Sequence, residues 1–148
     1  MVPGRSLSGK STLVLSFVER GADYYSDEYA VFDSEGRVLP YWRLPKLRVA
    51  SDQKVATSLL GRTLGGAPPK PIPLGWVLIS GYDRGSLWQP RRLSCGRTLL
   101  GLLDNTVPLR SRPEQSVKFL ARAVKNAQGF EGTRGEAADF ADQVLASL

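Results

Sequence analysis

The chain begins with glycine, lysine and serine residues spaced as in a phosphate-binding loop. The pattern is G-x-x-x-x-G-K-[ST], and Gly4, Gly9, Lys10 and Ser11 occupy its fixed positions. The glycines let backbone N–H groups curl around a phosphate, and the following helix directs its positive end at the anion. We expect Lys10 to hold the β- and γ-phosphates and Ser11 to bind a bridging magnesium ion. The predicted nucleotide-binding residues form the motif segment (residues 4–12): Gly4, Arg5, Ser6, Leu7, Ser8, Gly9, Lys10, Ser11 and Thr12.

The residues around this motif allow a second interpretation. A glycine- and serine-containing turn before a helix can carry the same spacing by chance. In addition, only Met1, Val2 and Pro3 precede the loop, whereas a buried strand of about five residues normally leads into one. Either this strand begins upstream of Met1, or the chain is a truncated copy of a phosphate-loop domain.

Asp27 and Glu28 are the nearest candidates for carboxylate chemistry. They lie between two predicted strands, where a carboxylate can point back at the motif segment. Transfer of a γ-phosphate needs a carboxylate that accepts the proton of the attacking hydroxyl or supports the magnesium ion. The alternative is a solvated turn, because acidic residues are common in turns.

Length and composition favour one globular domain over residues 1–148, incomplete at its N-terminus. Of the 148 residues, 42% are hydrophobic and 23% charged, which suits a single packed core. The single cysteine, Cys95, excludes an internal disulfide and indicates a reducing compartment. Histidine is absent, which excludes a Cys/His zinc cluster and a histidine base. The sequence shows neither an apolar run of membrane-spanning length nor a signal-peptide pattern, so we expect a cytoplasmic protein.

The net charge of +6 raises the question of a nucleic-acid interface. The 20 basic residues are spread along the chain, with small groups in three stretches: Arg43, Lys46 and Arg48; Arg91, Arg92 and Arg97; Arg110 and Arg112. None is a run of five or six like charges, so nucleic acid is a disfavoured partner. A pocket for a polyanion or an acidic protein partner fits the charge equally well. The oligomeric state stays open and includes a homo-oligomer.

Hydrophobic periodicity and turn residues predict alternating helices and strands. Helices are predicted over residues 10–20 with Gly21 as C-cap, 50–64, 93–103 with Ser94 as N-cap, 113–127 with Pro113 first, and from Thr133 or Arg134 to 148. Strands are predicted from Tyr24 and Tyr25, at residues 29–32 and 37–42 around a turn, and at 76–80 in the centre of the sheet. Trp88 and Cys95 are interpreted as packing residues, in preference to a base-stacking and a reactive role.

From residue 4 to residue 41 the chain resembles the C-terminal catalytic domain of HPr kinase/phosphorylase and its smaller ATP-binding relatives. In that family the helix after the phosphate loop ends in arginine and glycine, as at Arg20 and Gly21, and a short strand leads to two acidic residues and an apolar strand. The smaller relatives continue with a Trp-x-Pro element, matched more loosely by Trp88 and Pro90. The resemblance implies an α/β P-loop fold, with the mixed sheet and covering helices of the HPr-kinase and phosphoenolpyruvate-carboxykinase-like type.

The resemblance also implies residue roles and a function. Lys10 then holds phosphates, Ser11 binds the metal, Asp27 is the base that activates the acceptor hydroxyl, and Glu28 assists the metal. The full kinases have two aspartates at the acidic positions and a Glu-x-Arg-Gly-rich element that this chain lacks in recognisable form. The implied cofactors are ATP and Mg²⁺, and the implied reaction is phosphoryl transfer to a hydroxyl of a protein or small molecule. The alternative is a non-enzymatic accessory protein that binds ATP without turnover.

Overall fold

The computed structural model describes residues 1–5, 8–41, 43 and 70–147, which form a mixed α/β fold. The helices are α1 (Lys10–Glu19), α2 (Cys95–Leu103), α3 (Pro113–Val124) and α4 (Ala137–Leu145), with a 3-10 helix at Val107–Arg110. The strands are β1 (Val31–Phe32), β2 (Val38–Leu39), β3 (Trp76–Tyr82), β4 (Arg91–Leu93) and β5 (Gln128–Arg134). The predicted helix over residues 50–64 lies outside the described residues, as do Ser6 and Leu7 of the motif segment.

The main sheet of the described residues has three strands in the order β3-β5-β4. Strand β5 runs parallel to β3 and antiparallel to β4, so the sheet is mixed. Met1 adds to the free side of β3, because its amino group donates to the Trp76 carbonyl at 2.7 Å and its own carbonyl accepts from the Leu78 N–H at 2.9 Å. This bonding is parallel, so the motif segment follows at the edge of the sheet where β3 and β5 end. That the first strand begins upstream of Met1 stays a prediction.

Helices cover both faces of the sheet, because neighbouring residues of a strand point to opposite faces. Val77 packs with Leu102 of α2 and with residues of α3, whereas Leu78 packs with residues of α1 and α4. Trp88 joins the second cluster and meets the Phe140 ring edge-on at 4.8 Å, which confirms its packing role. No helix in the described part of the chain combines the length and apolar character needed to cross a membrane.

Local capping signals in the sequence place several helix ends correctly. Gly21 has a φ of 91°, and α1 ends just before it, as the glycine predicts. The Ser94 side chain accepts a hydrogen bond from the Arg97 N–H at the start of α2. Pro113 is the first residue of α3. The structure confirms these three predictions. They could be made from the sequence because each helix end depends on a few neighbouring residues.

The middle strand, β5, is the element that the hydrophobic pattern does not predict. A β-carbon on Gly129 would lie 1.9 Å from Oγ1 of Thr98, and one on Gly132 would lie 3.0 Å from the Trp88 ring. Glycine within a strand often marks such a close approach, and here α2 packs directly on the strand backbone. The predicted helix start at Thr133 or Arg134 is wrong, because both residues belong to β5 and α4 begins at Ala137.

Three further predictions need correction. The strand at residues 76–80 exists as part of β3, but β5 and not β3 is the middle strand. Tyr24 and Tyr25 lie in irregular structure, where the buried Tyr24 side chain bonds to other segments of the chain instead of starting a strand. Leu93 belongs to β4, because it pairs with Gly129, so α2 begins at Cys95.

Replacing Gly129 with alanine should destabilise the fold, because the added methyl group would overlap the buried Thr98 side chain. We expect Gly129→Ala to lower the free energy of unfolding by about 2–3 kcal/mol, as other overpacked cores do. Gly81→Ala is the matched control, since it makes the same change in β3, where no atom lies within 4 Å of the new β-carbon. Urea denaturation measures both. Identical midpoints for the two variants would contradict the packing of α2 on β5.

Candidate functional site

Helix α1 starts directly after the motif segment and presents its N-terminus at the edge of the sheet. Gly9 precedes it with φ 80° and ψ 16°, a left-handed conformation that suits glycine. No side chain caps the helix, and the Gly9 N–H has no acceptor among the described residues. The first N–H groups of a helix lack intrahelical partners, and the helix dipole adds partial positive charge there. This end of α1 therefore offers several aligned donors to an anion.

Lys10 lies over the motif segment. Its ammonium donates to the Arg5 carbonyl and lies 3.4 Å from Oγ of Ser8. Partial burial lowers the pKa of Lys10, and the negative charge of Asp27 opposes that shift. The ammonium is therefore close both to the open end of α1 and to a carboxylate.

Ser11 and Asp27 meet at the start of α1. The Ser11 hydroxyl donates to Oδ2 of Asp27 at 2.7 Å, although the two residues are 16 positions apart in the chain. Both side chains are partly buried. The prediction that a carboxylate points back at the motif segment is thus confirmed for Asp27.

The hydroxyl of the buried Tyr24 side chain lies beside the Asp27 carboxylate. This hydroxyl lies 3.1 Å from Oδ1 of Asp27 and 2.6 Å from the Arg43 carbonyl, and its single proton can be donated to one of them at a time. Only 1% of Tyr24 is exposed. Burial raises the pKa of Tyr24, so the hydroxyl stays protonated. The Tyr24 hydroxyl thus lies beside Oδ1 of Asp27, while Oδ2 accepts from Ser11.

Glu28 has a different environment. Its carboxylate forms an exposed ion pair with Arg43 at 3.1 Å. Oγ of Ser26 stabilises the preceding turn, because it accepts hydrogen bonds from the N–H groups of Glu28 and Tyr29. The structure thus brings Ser11 and Asp27 together and places Glu28 on the surface beside Arg43. Metal binding by Glu28 stays a prediction.

Arg134, at the end of β5, lies beside the motif segment, although our sequence-based prediction did not place it there. Its guanidinium donates to the Ser8 carbonyl at 3.0 Å and to the Gly135 carbonyl at 3.1 Å. It also lies so close to Gly9 that a β-carbon there would be 3.1 Å from Nη2. Burial lowers the pKa of Arg134, but an arginine keeps its charge at neutral pH. A buried positive charge therefore lies against the motif segment.

The sequence signal for Arg134 is weak but present. The glycines of β5 at positions 129 and 132 interrupt any apolar alternation, so the strand resembles a loop. Once β5 is recognised, Arg134 falls at its carboxyl end, beside the carboxyl end of β3, where Tyr82 is its partner in the register. Ligands of open α/β sheets bind outside the carboxyl ends of the strands.

The donors at this site suit magnesium better than a metal that needs a full protein cage. Within residues 1–5, 8–41, 43 and 70–147, no group of three or more acidic or cysteine side chains could hold an ion. Mg²⁺ is usually bound by one or two carboxylates together with phosphates and water. The Ser11 hydroxyl and the Asp27 carboxylate could supply that kind of partial ligand set.

A separate groove lies across the sheet and contains no residue of the motif segment. Its volume is about 480 Å³, and it is lined by residues of β3, β4 and β5, among them Ile79, Gly81, Arg91 and Glu131. Arg91 and Glu131 form an exposed ion pair at 2.5 Å. These two charges neutralise each other, so this pair gives the groove no net positive charge for an anionic ligand. We therefore place the candidate site at the motif segment.

Neither protein-family models, nor curated proteins, nor solved structures give a match to this chain. The functional interpretation therefore depends on the geometry around Ser11, Asp27, Lys10 and Arg134. The family resemblance of residues 4–41 remains an interpretation of the sequence.

Proposed function

We propose that the motif segment and Asp27 bind ATP with Mg²⁺, and that the protein transfers the γ-phosphoryl group to a hydroxyl of a protein or small molecule. The observation that carries this proposal is the 2.7 Å hydrogen bond between the Ser11 hydroxyl and the Asp27 carboxylate. A chance glycine and serine turn has no reason to place a distant carboxylate on the motif serine. The reducing compartment indicated by the single cysteine makes the cytoplasm the proposed location.

Each residue has a defined task in this proposal. The N–H groups at the start of α1 and the Lys10 ammonium bind phosphate oxygens. Ser11 and Asp27 would hold the magnesium ion, which would neutralise charge on the phosphates. Asp27 also accepts the proton of the attacking hydroxyl, since a carboxylate beside the motif segment can act as a general base there.

The environment of Glu28 favours a second candidate function. Its ion pair with Arg43 leaves Asp27 as the acidic side chain that contacts the motif segment. In phosphoryl transfer with a single carboxylate, that group must both bind the metal and accept the proton of the attacking hydroxyl. A site with one carboxylate in contact with the motif segment also fits a protein that binds ATP as an accessory subunit and does not turn it over.

Magnesium and ATP should stabilise the folded chain. At a ligand concentration 100 times the dissociation constant, binding adds about 2.7 kcal/mol to the free energy of unfolding, which corresponds to a rise in Tm of about 5–10 °C. Lys10→Ala should remove most of this rise, because it deletes the ammonium over the motif segment. Lys118→Ala, which removes an exposed lysine of α3, is the matched control and should retain the full shift. An unchanged Tm of the wild-type chain in millimolar Mg²⁺ and ATP would contradict nucleotide binding.

Asp27→Asn separates the kinase from the accessory protein. The substitution keeps an oxygen that can accept from Ser11 but removes the base and a charged ligand of magnesium, so turnover should fall by about 10²–10⁴-fold, while the affinity for ATP measured without magnesium stays within about threefold. Hydrolysis of ATP to ADP is a suitable assay, because water can replace the unknown acceptor. Asp23→Asn, an exposed change of the same charge in the same segment, should hydrolyse at the wild-type rate.

Three further results of this assay are informative. Equal turnover of Asp27→Asn and wild type would exclude Asp27 as the base. ATP binding without turnover in the wild-type chain would favour the accessory protein. Glu28→Gln tests the predicted role of Glu28. Loss of a metal ligand would raise the magnesium concentration that turnover requires, whereas loss of a surface ion pair would not.

A further inference from the structure

Arg134 is a buried arginine that makes no ion pair with any described residue. Only 4% of its surface is exposed, and its Nε proton has no acceptor in the part of the chain that the structure describes. The guanidinium lies 5.5 Å from the centre of the Tyr82 ring, whose hydroxyl donates to Glu136 at 2.8 Å. The negative charge of Glu136 partly opposes the effect of burial on the pKa of Arg134, although the two side chains form no ion pair. Buried charges are normally paired, because an unpaired charge loses its hydration without compensation.

The hydrogen bond to Ser8 has a geometric consequence for the motif segment. In a trans peptide the C=O and the N–H point in opposite directions. Because Arg134 binds the Ser8 carbonyl, the Gly9 N–H of the same peptide points away from the guanidinium. Left-handed Gly9 followed by helical Lys10 forms the kind of concave backbone that binds anions through successive N–H groups. Arg134 therefore holds in place the peptide that such an anion would contact.

The charges of the site indicate which anion fits. Lys10 and Arg134 contribute two positive charges and the start of α1 about half a charge, whereas Asp27 and Glu136 contribute two negative charges. A magnesium ion at Ser11 and Asp27 would add two further positive charges, so the site with its metal suits an anion that carries several phosphate charges. We propose that Arg134 is a positioning residue that aims the Gly9 N–H and makes the site selective for ligands with two or more phosphates. This inference rests on the proposed function, because it concerns the same site.

The experiment compares Arg134→Met, Arg134→Lys and the wild-type chain by calorimetric titration with MgATP and with AMP. Arg92→Met is the matched control, since it removes an exposed arginine from β4. We expect Arg134→Met to bind MgATP about 10- to 100-fold more weakly, with a smaller loss for AMP. Arg134→Lys should recover part of the affinity because it keeps the charge. Arg92→Met should bind like the wild type.

Thermal unfolding without ligand distinguishes positioning from a structural role. Replacing a buried, unpaired charge by an apolar side chain of similar length should leave the Tm unchanged or raise it, while MgATP affinity falls. Wild-type MgATP affinity in Arg134→Met would overturn the inference. Equal losses in Arg134→Met and Arg134→Lys, together with a lower Tm in both, would also overturn it, since that pattern shows a purely structural role.

Two controls keep the inference separate from the function on which it rests. If the wild-type chain binds no MgATP, the proposed function fails and this inference fails with it. If the wild type and Arg92→Met bind MgATP and Arg134→Met binds it equally well, only the role of Arg134 fails. Should Arg134→Met not fold, the ratio of MgATP to AMP affinity in Arg134→Lys decides. A ratio within about threefold of the wild type supports selection by charge, and a larger loss contradicts it.

Discussion

The hydrogen bond from the buried Arg134 guanidinium to the Ser8 carbonyl connects the middle of the sheet with the candidate site. Arg134 is the last residue of β5, and its position depends on the register in which it pairs with Tyr82. A slip of one residue would turn its side chain to the opposite face of the sheet. The packing that fixes β5 between β3 and β4 therefore also fixes the charge under the motif segment. Fold and site are coupled through this strand.

The parts of the structure that follow from short-range chemistry could be predicted from the sequence. The start of α1 at Lys10, its end before Gly21 and the cap of α2 at Ser94 each depend on a few adjacent residues. The approach of Asp27 to Ser11 could also be predicted, because a turn between two extended segments can return a carboxylate to the motif segment. Local patterns thus predicted the part of the candidate site that the motif segment and Asp27 form.

The buried half of the site could not be predicted in this way. Strand β5 has glycine where a central strand usually has a large apolar residue, since Thr98 and Trp88 occupy the space that side chains at positions 129 and 132 would fill. Without that strand Arg134 was assigned near a helix start. The ion pair of Glu28 with Arg43 is equally long-range, since nothing local tells which of two adjacent carboxylates turns inward. Tertiary packing decides both.

The central claim is that a magnesium nucleotide binds at the start of α1, and amide NMR of the ¹⁵N-labelled chain tests it most directly. During titration with MgATP, the account predicts the largest shifts for the backbone amides of Gly9, Lys10, Ser11 and Thr12, which are the aligned donors at that helix end. The amides of β3 and β5 that line the groove across the sheet should shift little. Largest shifts in that groove, or no shifts at millimolar MgATP, would contradict the account.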